Sequence, residues 1–399
     1  MVISKNKQTT MKLLSVIVFV VSLLSVSCSS IPESEQGIST MNPIEINLSR
    51  GSTKTSHNLS EIIEFRDVIQ LESNEDAFIK EASKIIFNGS NIYILDQIQD
   101  KLFIFNINGN FISQILTRGK GPGEIINASG FELDRINQEL IVSSLERKEL
   151  LVFSTNGEFK RSHYIHSNSR YFTSLDESKF CFFVGYYDSS FHNLRITDKT
   201  GETIKYGFPF PENLSSMHFS FSGYLTKNNE GALYNDACSN DIYQIVKNGD
   251  AYLKYRIVFD GKTWPENKKY DFMNFYMELN KMELCFIKTN YMETRKGMII
   301  PYQAGKKIEK AFYNRNTGDV FIVNQNLVKD VFFPTLSNPV GVTESDDFIS
   351  TVDPLPLKER LLQEASDHKA FLIDSLVLDK IMCSSENNSN LVIVTYNFI

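Results

Sequence analysis

Three glycines, a proline and three charged residues share the eight positions Thr117-Arg118-Gly119-Lys120-Gly121-Pro122-Gly123-Glu124. Glycines let a backbone approach a ligand and turn its N–H groups outward, as phosphate-binding loops do. In such a loop Arg118 and Lys120 would meet an anionic group, and Glu124 a hydroxyl or a cation. No helix-opening Gly-Lys-Ser/Thr follows, so the nucleotide-triphosphate loop is excluded. The simpler reading is a tight crossing between structural units, with Glu124 accepting from backbone amides.

The other reactive residue types are scattered. His163 and His166 stand three apart, which on a strand points them to opposite faces and makes a shared metal ion unfavourable. His192 and His218 are isolated. Tyr171, Phe172, Arg195 and Tyr224 lie just before or within apolar strand patterns, where aromatic faces either stack on a sugar or pack neighbouring strands. No Ser-His-Asp set and no paired carboxylates stand out. Cys181, Cys238, Cys285 and Cys383 are widely spaced with no Cys-x-x-Cys, so no zinc site is expected. Cys181 and Cys285 sit in apolar runs, where a thiol behaves as a small buried hydrophobe.

The first 27 residues read as an export signal. Lys5, Lys7 and Lys12 precede the apolar run Leu13–Val26, which is too short to span a bilayer comfortably. The run ends in Leu24-Ser25-Val26-Ser27-Cys28, which resembles a bacterial lipobox, so Cys28 is the expected lipidation site and residues 28–43 its polar tether. Removing residues 1–27 takes away three lysines and no acid, so the formal charge moves from −7 to −10. An acidic chain without a basic patch is a poor partner for nucleic acid, whose binding rests on phosphate neutralisation. The expected membrane contact is the lipid anchor alone.

What must hold these residues in place is a repeat. Residues 85–124 and 131–159 superpose with a shift of 48, which puts Ile92 on Leu140, Ile94 on Val142, Phe105 on Phe153 and Gly109 on Gly157. A period of this size built from short alternating strands is the mark of a β-propeller blade. The 30 Phe and 17 Tyr against a single Trp also favour strands. Turn glycines at 109, 157, 201, 249 and 318 mark five copies, and 332–399 holds the pattern of a sixth, with 391–396 as its clearest strand. Either Ile44–Leu48 or Val68–Leu71 is expected to complete the last blade. The expected fold is therefore all-β, a six-bladed β-propeller over 44–399 with short helical insertions. Within 264–284, Phe272, Phe275, Tyr276 and Leu279 fall on one helical face. This insertion is either a lid over the channel or, the preferred reading, a loop packed on a blade. A second helix is expected over Pro356–Lys369, with Leu357, Arg360, Leu361 and Glu364 at helical spacing.

With these segments in hand, the Gly119–Glu124 block resembles the G-x-G-P-G-E signature of the six-bladed β-propeller lipoproteins of gut Bacteroidetes, relatives of the NHL-repeat propellers. NIYILD, FNINGNF and ENNSNLVIVTYNF match that group as well. Ile125 stands where the group usually has an aromatic, and blade two carries Ser144 where blade one carries Asp96. The resemblance implies a cell-envelope protein, lipid-anchored to the outer membrane and facing either the periplasm or the surface. It further implies a non-catalytic binding or scaffold module for a glycan, peptide or protein, with no cofactor. The chain is also similar in expected fold to six-bladed lactonases. That implies an alternative, a calcium-dependent hydrolase with hard oxygen ligands among Glu81, Asn127, Asn235 and Asp236.

Overall fold

Each repeat becomes four antiparallel strands, and six such sheets form the blades of a propeller. The computed structural model describes residues 42–49, 52–56, 59–166, 169, 171–214, 224–281, 283–323, 336–365, 379, 382 and 389–399. All lie in the unit Ser39–Ile399. The innermost strands of blades one to four are Lys84–Asn88, Ala128–Asp134, Tyr171–Ser174 and Tyr224–Asn228. Blade five presents Met292–Glu293 beside Gly297–Ala304, and blade six presents Gly341–Val342.

The shift of 48 in the sequence is a shift of one blade in space. Ile92 pairs with Phe105 and Ile94 with Phe103 in blade one, and Leu140 pairs with Phe153 and Val142 with Leu151 in blade two. Both faces of these strands are apolar for a reason. Successive side chains point to opposite faces, and each face meets a different neighbour. Ile92 and Ile94 pack towards Ile349 and Ile393 of blade six, whereas Tyr93 and Leu95 pack towards Phe131 and Leu140 of blade two. A separate apolar cluster fills each of the six junctions between successive blades.

The two segments considered for closing the ring do different things. Ile63–Gln70 pairs antiparallel with Val392–Phe398 and becomes the outer strand of blade six. Ile44–Asn47 instead adds in parallel to Ala251–Val258 at the rim of blade four, and Lys54–Ser56 adds in parallel to Val320–Val323 of blade five. Gly109, at φ +80°, shows how tightly the closing strand is held. A Cβ there would lie 2.2 Å from the Gln70 carbonyl oxygen, so this turn position needs glycine for its neighbour as well as for its dihedral.

The α-helices Phe272–Asn280 and Pro354–Ala365 interrupt the strands. The Asp271 side chain accepts from the Asn274 amide and caps the first. That helix buries Phe272 and Phe275, but Tyr276 is turned to solvent, contrary to the expected face. Phe272 packs with Tyr186, Phe210 and Leu214 over the junction of blades three and four, so the insertion lies on blades as preferred above. In the second helix Leu357 and Leu361 are buried in the junction of blades five and six, and 366–369 lies outside the described residues.

Candidate functional site

Where the inner strands converge they enclose a cavity of about 670 Å³ with walls from all six blades. One buried carboxylate organises its wall. Glu132, on the inner strand of blade two, is 2 % exposed. Its Oε1 accepts from Lys84 Nζ at 2.5 Å and from Thr173 Oγ1 at 2.9 Å. Its Oε2 accepts from Ser174 Oγ at 3.0 Å, with Lys227 Nζ at 3.6 Å. Lys227 Nζ in turn donates to Ser174 Oγ at 2.5 Å. Four consecutive blades thus contribute to one charged cluster. Burial alone would push the Glu132 carboxyl up, but the charges of Lys84 and Lys227 and the hydrogen bonds outweigh it and bring it to about 2.

The other charged groups around the cavity are mostly paired. Arg135 Nε lies 2.6 Å from Glu344 Oε1, which links blade two to blade six past blade one, whose Phe87 carbonyl also accepts from Arg135. Glu293 of blade five accepts from Lys254 Nζ at 3.1 Å, from the Tyr255 hydroxyl at 2.7 Å and from Asn228 Nδ2 at 2.9 Å, and it contacts Arg315.

The residues singled out in the sequence fall into separate places. Tyr171, Tyr224 and Glu81 line the cavity. Tyr171 and Tyr224 meet edge to face at 5.3 Å, and Tyr224 meets Tyr291 in the same way, so much of their ring surface is packed against other rings. Arg195 does not line the cavity. It lies in the third strand of blade three, where its Nη2 is 2.7 Å from Asp188 Oδ2 with both side chains buried, and its guanidinium covers Tyr206. A guanidinium enters a protein interior only with such a partner.

Arg118, Lys120 and Glu124 occupy the crossing from blade one to blade two. Thr117–Arg118 and Glu124–Ile125 pair in parallel, and Glu124 Oε2 accepts from the Gly121 amide at 2.6 Å. Arg147 ties the crossing from outside through the carbonyls of Gly121 at 2.8 Å and Glu124 at 2.7 Å. Lys120 is exposed, and Arg118 reaches Asp100 only at 3.7 Å. The crossing's polar backbone is therefore largely engaged by the protein itself.

The four oxygen donors considered for calcium are not assembled. Glu81 is at the cavity, and Asn127 sits exposed at φ +55° in the crossing. Asn235 and Asp236 are buried between blades three and four. There Asp236 Oδ1 accepts from the Tyr186 hydroxyl at 2.5 Å, the Tyr234 hydroxyl and Asn193 Nδ2 at 3.1 Å each, and the Ala237 amide at 2.9 Å. Burial pushes its carboxyl above the usual range, which weakens it as a ligand for a hard cation. Among the described residues no three His, Cys, Asp or Glu side chains are placed to hold a metal ion. Cys181, Cys238 and Cys285 are free thiols, whereas Cys28, Cys383 and His218 lie outside the described residues.

The cluster itself, Lys84, Glu132, Thr173, Ser174 and Lys227, was not singled out in the sequence. One signal for it was present, because the shift of 48 puts Lys84 on Glu132, opposite charges at one position of successive repeats.

A family model described as Domain of unknown function (DUF4934) matches residues 43–397. No curated protein matches the chain. Among solved structures, a candidate exported protein from Bacteroides fragilis superposes with a TM-score of 0.72 at 17% identity, over 89% of this chain and 100% of that one. A member of the DUF4221 family from Bacteroides vulgatus gives 0.49 at 12% identity, over 86% and 99%. A virginiamycin B lyase from Staphylococcus aureus gives 0.41 at 12%, over 72% and 82%. The first of these supports the propeller fold, and at such identity it speaks to the fold alone. With a model match that spans almost the whole propeller, the chain belongs to the family described as Domain of unknown function (DUF4934).

Proposed function

We propose that this protein is an exported, lipid-anchored binding module of the cell envelope that takes a glycan, peptide or other small ligand into its central cavity. The observation that carries this reading is the cavity itself. At about 670 Å³, with walls from all six blades, it falls in the size range of small-molecule sites and mixes apolar with polar groups. The calcium-dependent hydrolase has no comparable support, because its four candidate oxygen donors lie in three separate places.

A thermal-shift panel of sugars and short peptides tests the site. A ligand at a hundred times its Kd stabilises the fold by about 2.7 kcal/mol, enough to raise the melting temperature measurably. Gln97→Trp, at an exposed position of the lining, narrows the opening and is expected to remove that rise. If the variant keeps every hit, the cavity is not the site.

The anchor rests on the sequence, because residues 1–41 lie outside the described residues. Metabolic labelling with a radioactive fatty acid is expected to mark the wild-type chain and to leave Cys28→Ala unmarked. Equal labelling of the two would rule the anchor out.

A further inference from the structure

Two ammonium groups meet one carboxylate in the cavity wall, and the surplus charge borders the cavity. Lys84 and Lys227 stand on inner strands, where side chains facing a neighbouring blade are buried, yet they are 25% and 46% exposed and line the cavity. Each ammonium has three donors. Among the described residues Lys84 gives one, to Glu132, and Lys227 gives one, to Ser174, with Glu132 close by. Glu132 needs only one cation for neutrality, and Thr173 and Ser174 already supply a hydrogen bond to each of its oxygens. The second lysine is therefore in excess of what burying this carboxylate requires. Elsewhere around the cavity Arg135 is matched by Glu344, and Lys254 and Arg315 by the two carboxylates Glu293 and Glu230, so the positive excess is local to Lys84 and Lys227. Glu81 is the remaining carboxylate of the lining, and it precedes the inner strand of blade one.

The rest of the lining offers hydrogen bonds without charge. Gln97, Thr289 and Asn290 border the cavity, and their side chains make no hydrogen bond among the described residues. An amide offers both donors and acceptors and a hydroxyl does likewise, the complement of a ligand carrying several hydroxyls. The volume admits about one or two sugar rings.

We propose that the cavity contains a carboxylate site, in which Lys84 and Lys227 grip the single carboxylate of an acidic sugar whose hydroxyls meet the neutral polar lining. The charge-assisted pair of N–H···O bonds supplies orientation as well as affinity. Glu132 holds the two lysines side by side at the cavity wall, and is itself a positioning residue. This inference rests on the reading that the cavity is the binding site.

Calorimetry on the full chain in detergent decides it, with sodium glucuronate, sodium galacturonate, glucose and N-acetylglycine as probes. A uronate is expected to bind saturably and at least about tenfold more tightly than glucose, the effect of one lost charged contact. Lys227→Met is expected to weaken that binding about tenfold or more. The exposed Lys306→Met is expected to leave it unchanged. Lys227→Met keeps Glu132 paired with Lys84, so the fold is expected to survive, and Lys84→Met provides the second reading. Tighter binding of N-acetylglycine than of either uronate would assign the site to a peptide carboxylate and overturn the acidic sugar. No uronate binding, or uronate binding that both lysine variants leave unchanged, would overturn the carboxylate site altogether. In that case a neutral hit from the thermal-shift panel that is still lost on Gln97→Trp would show the cavity reading standing without it.

Discussion

Glu132→Gln lowers the stability of the propeller by about 3 kcal/mol at neutral pH, the low end of the cost of breaking a buried ion pair from one side. The low end applies because Lys84 and Lys227 can recover hydration from the cavity once the carboxylate is gone. The pH dependence identifies the cause. The Glu132 carboxyl sits near 2 in the folded protein against an ordinary 4.5. A carboxyl depressed by folding adds stability that is complete above its unfolded value and disappears as the pH falls through its folded value. At about 1.4 kcal/mol per pH unit, this depression is worth about 3 to 4 kcal/mol, close to the first figure. The gap between wild type and Glu132→Gln in urea denaturation is therefore expected to be constant from pH 8 to about 5 and to close between about 4.5 and 2. A gap that persists undiminished to the lowest pH would show that the lost stability is not the carboxylate's charge. Because the cluster joins blades one to four, the loss is expected in the main unfolding transition rather than in a local opening.

A chain that begins at Leu59 melts cooperatively, whereas a chain that begins at Glu72 does not fold. The first loses the two rim strands and the buried Ile46 and Leu48, worth about 4 kcal/mol together, but keeps the ring. The second loses Ile63–Gln70, the outer strand of blade six. Without it the fully buried strand Val392–Phe398 becomes an edge, and Ile63 and Ile69 leave the junctions with blades five and one. An open row of N–H and C=O groups beside exposed apolar side chains invites aggregation. Circular dichroism melting and gel filtration of the two chains check this. A cooperative, monomeric chain beginning at Glu72 would show that the ring does not depend on this closure.

The architecture was largely legible in the sequence because a blade is a local object. Strand pairs such as Ile92 with Phe105 and Leu140 with Phe153 are hairpin neighbours, and the same pattern writes each of them. Which N-terminal segment closes the ring was not legible. Ile44–Asn47 and Ile63–Gln70 both alternate as strands, and only the location of a free edge tells them apart. The charged cluster was hidden for a related reason. Lys84, Glu132, Thr173 and Lys227 come from four blades, and each looks in its own strand like an ordinary solvent-facing residue. Arg195 shows the opposite case: in the sequence an arginine in an apolar strand reads as a ligand group, whereas in the fold it is paired with Asp188, seven residues earlier. Tyr276 departs from its spacing because four aromatic and aliphatic residues fit one helical face, whereas this helix has only a narrow stripe against its blades, filled by Phe272 and Phe275.

The run from Ile44 to Gln70 has a mechanical consequence. Its three strands lie on the rims of blades four, five and six in that order, so a pull on the N-terminus arrives first at Ile44–Asn47, next at Lys54–Ser56 and last at the strand that closes the ring. The first two are short parallel additions whose release leaves every blade with its own strands. Once freed, residues 44–62 can extend to roughly 65 Å end to end before load reaches Ile63. The rim strands therefore act as a shock absorber in series with the ring, giving way under tension while the walls of the cavity keep their shape.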